Sequence, residues 1–362
     1  MQARYAADAA RGQWRGRVLS SRTLPPRALN TTLRSEVQTM YDPYDPDRPN
    51  VLAGLRIDRA GRHRRDDAWL SARQTAPEAR TVLIWRDQTV VVPMGGGAVV
   101  ALLADLAGLM QVAHDLLDDP PVYLGDVDGR PLFAVDITRV EDLAGLLGGL
   151  RLDDPAMDIA AAAPVDLRQA ASTLDDQQAA LVAYGRAMAH WHRRHRFCGV
   201  CGAPTEARQG GHVRRCTSET CGTEHFPRTD PAVIMLAVKD DWCVLGRQPR
   251  FPAGMYSTLA GFLEPGESLE ECVRREMMEE VGLRIGRVSY RHSQPWPFPA
   301  SLMVGFRAEV LEGGPLDIDH HELEDALWVH RDELRDPELS PVTLPHRISI
   351  ARRLIDEWMA ER

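Results

Sequence analysis

Residues 261 to 283 read GFLEPGESLEECVRREMMEEVGL, seven glutamates and two arginines set around three glycines. Pro265 and Gly266 signal a turn, and Ser268 with Glu271 three residues later is a capping box that starts a helix. Gly282 marks where that helix stops. At about 100° per residue, Glu276, Glu279 and Glu280 fall within an arc of roughly 100°, beside an apolar stripe of Val273, Met277 and Val281. The stripe seats the helix on a core and leaves the carboxylates clustered at its margin. Like charges at such spacings each cost a helix about 0.2 to 0.5 kcal/mol, which a bound hard cation, Mg²⁺ or Mn²⁺, relieves. The competing reading is a solvated acidic helix.

The spacing decides between the two. Gly261, five residues, Glu267, seven residues, then Arg275-Glu276, two residues, Glu279-Glu280, one residue and Gly282 occupy every fixed position of one signature. In this the chain resembles the Nudix hydrolases. The resemblance implies an α/β/α sandwich and hydrolysis of a nucleoside diphosphate linked to another moiety.

At 362 residues the chain has room for two to three domains, each with its own core. Its 44% hydrophobic and 26% charged residues are ordinary for a globular protein. The net charge of −9 disfavours indiscriminate nucleic-acid binding but leaves room for a local basic surface. No apolar run approaches the roughly 20 residues of a membrane helix, and the N-terminus lacks a signal-peptide core, so a cytoplasmic location and no membrane partner are expected. Six cysteines are too few for a disulfide framework at this length. Cys243 and Cys272 each stand alone in an apolar pattern and read as small buried hydrophobes.

The expected fold class is α/β (α+β), in five segments. Residues 1–75, rich in Arg, Asp, Ala and Pro, read as irregular or poorly ordered. Residues 76–170 carry short β-rich runs, with a hairpin at Asp128-Gly129, and form an N-terminal α+β domain. The triple glycine at 95–97 lacks the Lys-Ser/Thr of a phosphate loop and reads as a turn. Residues 171–196 are an alanine-rich connecting helix, 197–228 a zinc ribbon and 229–362 the catalytic domain. In the last segment PAVIMLAV and WCVLGR pair across Asp240-Asp241, and a closing helix sets Ile350, Leu354 and Trp358 on one face. The first domain reads as a possible degenerate relative of the last.

Cys198 and Cys201 form one knuckle and Cys216 and Cys221 a second, with fourteen residues between the pairs. That spacing suits one tetrahedral Zn²⁺ held by four thiolates, structural because the protein fills every position. The second knuckle has four intervening residues where two is commoner. Around the cluster Arg186, Arg193, Arg194, Arg196, Arg208, Arg214, Arg215 and Arg228 outnumber Glu206, Glu219 and Glu224. Two readings stand: a basic ribbon that holds a phosphate backbone, or a solvated face.

Beyond the glutamate box, SQPWPFPASLM at 293–303 alternates three prolines with two large aromatics. Proline fixes φ and removes donors, so the stretch cannot be a central strand and presents rigid aromatic faces. Together with the ribbon and the box, in that order, it is similar to the NADH pyrophosphatase branch of the Nudix family, which includes NAD-cap decapping enzymes. The likeness spans about residues 168–358 and assigns roles residue by residue. It implies metal ligation by Glu276, Glu279 and Glu280, by the carbonyl of Ala260 and by Glu322, with Arg275 orienting the glutamates. It implies base stacking on Phe262 and substrate contact at Phe226, where the family often has tyrosine. Nicotinamide-side contacts fall on Gln294, Pro295, Trp296, Pro297, Phe298, Pro299, Ala300 and Ser301, with Trp296 reaching across a homodimer. Arg168 and Ala351 are further contacts, while Gly211 stands where the family often has an acid.

The expected activity is therefore hydrolysis of the pyrophosphate bond of NADH or NAD⁺, and removal of the NAD cap from RNA 5′ ends. Two or three Mg²⁺ or Mn²⁺ and one structural Zn²⁺ are the implied cofactors. The alternatives are a Nudix hydrolase of ADP-ribose or another dinucleotide, against which SQPWPFP argues, and an inactive RNA-binding module, against which the intact glutamates argue.

Overall fold

The computed structural model describes residues 49–94, 99–150, 157–336 and 338–361. The triple-glycine turn and most of the N-terminal segment expected to be irregular lie outside the described residues. In chain order the elements are α1 (Asp67–Gln74), β1 (Arg80–Trp85), β2 (Gln88–Pro93), β3 (Val99–Ala101), β4 (Leu103–Asp105), α2 (Leu106–Ala113), β5 (Val122–Val127), β6 (Arg130–Asp136), α3 (Leu143–Gly148), β7 (Ala163–Val165), α4 (Leu167–Thr173) and α5 (Asp176–Arg194). They continue with β8 (Thr205–Arg208), β9 (Val213–Cys216), β10 (Glu224–His225), β11 (Asp230–Lys239), β12 (Trp242–Arg247), β13 (Leu259–Phe262), α6 (Leu269–Val281), β14 (Ile285–Trp296), β15 (Ser301–Val310), β16 (Asp325–His330), α7 (Arg331–Arg335) and α8 (Ile350–Ala360).

The C-terminal sheet runs β14-β15-β11-β12-β16, with β13 paired to β11 as well. Strand β11 explains the sandwich, because successive side chains point to opposite faces. Val233, Met235 and Ala237 pack with Cys272, Val273 and Met277 of α6, while Ile234 and Leu236 pack with Ile350, Leu354 and Trp358 of α8. The sheet is thus buried between two helices, the expected α/β/α arrangement. The two lone cysteines, Cys243 and Cys272, are fully buried, and burial pushes both thiols up to about 12.

The N-terminal sheet repeats this plan. In it β1 pairs with its hairpin partner β2 and, in parallel, with β6, which pairs with its own hairpin partner β5. In the C-terminal sheet β11 pairs likewise with β12 and, in parallel, with β15, which pairs with β14. Even the short strand before each helix corresponds: β4 pairs with β1 as β13 pairs with β11. The helix after β4, however, reads LAGLMQVA and holds no carboxylate. The first domain keeps the sheet and lacks the acids.

Two expectations about the N-terminal half need correction. The alanine-rich helix α5 is no bare connector: Ala179, Val182, Ala183 and Met188 are buried in one core with Val82 and Ala134. Gly185 lets it approach, since a Cβ there would lie 2.7 Å from Val82 Cγ2. Nor is residues 49–75 wholly irregular, for it carries α1, a bridge between Asp58 and Asp126, and a bond from Asn50 Nδ2 to the carbonyl of Ser293. No helix is long and apolar enough to cross a membrane among the described residues.

Candidate active site and zinc ribbon

Helix α6 begins at Ser268, whose Oγ accepts from the Glu271 N–H while the Glu271 carboxylate accepts from the Ser268 N–H. It ends at Gly282, left-handed at φ 69°. The chain beyond folds back onto this end: Asp317 N–H donates to the carbonyl of Val281 and Asp319 N–H to that of Glu280. A Cβ on Gly282 would meet Asp317 Cβ at 2.8 Å. A turn from Asp319 then delivers Glu322 to the helix. Carboxylate oxygens of Glu276, Glu280 and Glu322 lie within 4.8 Å of one another.

Three features fit this cluster to a divalent cation. Glu280 is 2% exposed, and its Oε2 has no hydrogen-bond partner among the described residues. Burial, then the charges of Glu276 and Glu322, push its carboxyl up to about 8, and burial raises Glu276 as well. A positive ion is what this crowd of carboxylates calls for. Third, Gly261 is the floor of the site: a Cβ there would sit 1.8 Å from Glu276 Cδ, so only glycine lets that carboxylate lie against the strand. Ala260, its neighbour, is held in β13 opposite Ile234, and its carbonyl was the expected main-chain ligand.

Arg275 is the organiser. It donates to Glu267 at 2.6 and 2.9 Å, to Glu276 at 2.8 Å, to Glu279 at 2.9 Å and to the carbonyl of Phe262 at 3.0 Å. The guanidinium holds the Glu267 carboxyl down at about 2. Glu279 is largely exposed and paired with Arg275, outside the trio formed by buried Glu276 and Glu280 and exposed Glu322. Beside the carboxylates the Phe262 ring is 61% exposed, free to stack.

The aromatic-proline stretch occupies an edge strand, as proline requires: Ser293–Trp296 complete β14 at the rim of the sheet, and Pro295 is exposed. Trp296 and Phe298 meet edge to face at 4.9 Å, both half-buried against the N-terminal core. Arg168 lies 3.7 Å over the Phe298 ring and Arg186 5.1 Å from it. Pro299 is exposed, Ala300 accepts from Asp230 N–H, and Ser301 opens β15. Two expected contacts are engaged elsewhere. Gln294 is 1% exposed and joins Val51 O, Ile348 O and Ile350 N–H, so its amide is spent on holding three chain segments together. Ala351 has its methyl buried in the core under α8 and its N–H bonded to Ser349 Oγ.

In the ribbon, the four thiols lie within 4.8 Å of one another, with Cys201 and Cys216 at 3.4 Å and Cys198 and Cys221 at 3.8 Å. Zinc–sulfur bonds of about 2.3 Å in a tetrahedron put sulfurs about 3.8 Å apart, so the donor set fits Zn²⁺. The two extra residues of the second knuckle are absorbed in a turn closed by Cys221 and Gly222 N–H on Ser218 O. The basic-ribbon reading does not hold for most of its arginines. Arg193 pairs with Asp87 and Asp136, Arg196 with Asp118, Arg208 with Glu206, buried Arg214 with Asp119 and Arg228 with Asp230. Several of these acids come from the N-terminal domain, distant in sequence, which is why composition around the cysteines missed them. Phe226, 61% exposed, lines a cleft with Arg62, Arg64 and Arg65.

Comparison with known proteins matches three segments: residues 227–351 to the NUDIX domain, 78–191 to the NADH pyrophosphatase-like rudimentary NUDIX domain, and 193–226 to the NADH pyrophosphatase zinc ribbon domain. The chain is 43% identical over 239 residues to the NAD-capped RNA hydrolase NudC of Stutzerimonas stutzeri, covering 66% of this chain and 77% of that protein. It is 42% identical over 274 residues to NAD-capped RNA hydrolase NudC of Mycobacterium bovis, covering 72% and 82%. With NAD-capped RNA hydrolase NUDT12 of Homo sapiens it shares 32% over 345 residues, covering 86% and 73%. The rudimentary domain, the ribbon and the glutamate-bearing sandwich thus follow one another as in these relatives, and the chain belongs to the Nudix hydrolases, in the NADH pyrophosphatase branch.

Proposed function

We propose that this chain hydrolyses the central pyrophosphate of NADH or NAD⁺ to NMNH or NMN and AMP, and cuts the same bond at NAD-capped RNA ends to leave a 5′-monophosphate. The observation that carries the reaction is the convergence of Glu276, Glu280 and Glu322 around an unpartnered, buried carboxylate oxygen. The relatives named as NAD-capped RNA hydrolases support the substrate.

Two or three Mg²⁺ or Mn²⁺, held by these three, by Glu279 and by the Ala260 carbonyl, would neutralise the diphosphate and lower the pKa of the attacking water. The protein's own work is positioning. Arg275 fixes the rotamers of Glu276 and Glu279 and leaves Glu280 to burial alone. Glu279 or Glu280 takes the proton that water loses as its oxygen bonds to phosphorus and the bridging P–O bond breaks. Phe262 stacks on a base, and the Trp296–Phe298 pair, with Pro295, Pro297, Pro299, Ala300 and Ser301 around it, forms the nicotinamide wall, Trp296 serving the partner's site in a homodimer.

The test is kcat/KM on NADH, NAD⁺, ADP-ribose and an NAD-capped RNA, side by side, with Mg²⁺ and with Mn²⁺. Preference for the nicotinamide substrates over ADP-ribose is expected, and Glu280→Gln should nearly abolish turnover in a folded protein. Most activity retained in Glu280→Gln would remove the assignment.

A further inference from the structure

Most of the arginines that sequence placed on the ribbon are tied to carboxylates, yet a different basic surface faces it. Arg62, Arg64 and Arg65 line a cleft of about 630 Å³ whose other wall is Gln209, His212 and Phe226. None of the three arginines has an ion pair among the described residues. Of the acids nearest along the chain, Asp58 Oδ1 accepts from Ala60 N–H, Asp66 Oδ1 caps α1 through Trp69 N–H, and Asp67 stands in the first turn of that helix; none is ion-paired to the three arginines among the described residues. The loop is also built. Asp58 is bridged to Asp126 by two backbone bonds, His63 N–H donates to Ala60 O, and the His63 ring stacks on Trp69 at 5.2 Å. On the facing wall Gln209 is held left-handed at φ 53°, a conformation unfavourable for a non-glycine residue that packing must maintain.

Three guanidinium groups without an ion pair, opposite an exposed phenyl ring, are the two halves of a single-strand site, charge for the backbone and a ring for a base. Position agrees. Phe226 precedes Ala232, the β11 partner of Phe262, by six residues, at most about 22 Å of extended chain. A few nucleotides bridge that distance.

We propose that the cleft between residues 62–65 and the zinc ribbon binds the single-stranded RNA that follows the cap, through phosphate contacts of Arg62, Arg64 and Arg65. This rests on capped RNA as a substrate, and the experiment separates the two. Binding of a 5′-monophosphorylated single-stranded RNA of about ten nucleotides, and of AMP, is measured across a salt series for the full chain and for Arg62→Gln/Arg64→Gln/Arg65→Gln. NADH and NAD-capped RNA turnover are measured in parallel. The wild type should bind the RNA more tightly than AMP. The triple variant should lose on the order of tenfold or more in RNA affinity, and its log–log salt slope should be shallower by about 2, three contacts at about 0.7 each. Its kcat/KM on NADH should be unchanged, its kcat/KM on capped RNA should fall with affinity, and the matching triple lysine variant should recover most of the binding. Unchanged RNA affinity, AMP bound as tightly as RNA, or NADH turnover falling in step with RNA binding would each overturn the site. A wild type that binds RNA through these arginines but leaves NAD-capped RNA intact would keep the cleft and remove the capped substrate.

Discussion

A single missing atom defines the catalytic floor. At Gly261 any Cβ would sit 1.8 Å from Glu276 Cδ, far inside contact distance, so Gly261→Ala must push either β13 or the carboxylate aside. Displacements near 1 Å at a positioned group cost on the order of a hundredfold in rate. Gly261→Ala should therefore lose about that much kcat on NADH while remaining folded; near wild-type kcat would mean that the Glu276 position is not critical. Glu280 makes the second residue-scale prediction. Its carboxyl ordinarily titrates near 4.5 and is pushed to about 8 by burial and by its acidic neighbours. Between those values the unfolded chain has given up the proton that the metal-free fold retains, so stability falls as pH rises, by up to about 1.4 kcal/mol per pH unit from this group. Melting with EDTA should show Tm declining from pH 5 to 8, and Glu280→Gln should flatten that decline. Added Mg²⁺ or Mn²⁺ should restore the wild type but not the variant.

At the scale of elements, α6 was legible in full, while α5 was legible as a helix but not in what it buries, for a physical reason. The box helix announces itself by a cap, a stop and an apolar stripe that are all local, and each is present: the Ser268–Glu271 box, left-handed Gly282 and buried Val273, Met277 and Val281. Its organiser was legible too, since Arg275 lies about one turn or less from Glu276 and Glu279, two of the glutamates it binds. Helix α5 buries alanines against β1 and β6, both distant in sequence, and small side chains give a weak periodic signal. Gln294 was legible as important but not in its role, because its three partners come from residues 51, 348 and 350. The ribbon is an element that a bound zinc would hold together. Its three short strands have little core of their own, and such a sheet is marginal without a staple. The wild type should carry zinc in elemental analysis, and Cys216→Ser should lose it and expose β8–β10 to rapid hydrogen exchange. Full zinc occupancy in the variant would place the metal elsewhere.

At the scale of the molecule, the N-terminal domain repeats the sheet plan without carboxylates on α2, and its contacts give it a different task. Helix α5 of that domain reaches the aromatic-proline loop of the other through Arg186, a buried side chain that donates to Pro297 O and to Asp87 O and stands 5.1 Å from the Phe298 ring. Arg168 of α4 covers the same ring. The loop proposed to wall the nicotinamide half is therefore positioned by the first domain, while the carboxylates are positioned within the second. Removing Arg186 leaves two carbonyls short of a donor, about 1 to 3 kcal/mol each where they are buried, and frees the loop. The two halves of the substrate should then respond differently. Arg186→Met should raise KM for NADH several-fold more than KM for ADP-ribose, which lacks the nicotinamide, and should leave the metal dependence of kcat unchanged. Arg186→Lys keeps the charge but not the fork of donors, so it should recover only part of the loss. Equal losses on both substrates would show that Arg186 serves the fold as a whole, and that the first domain does not set the nicotinamide wall.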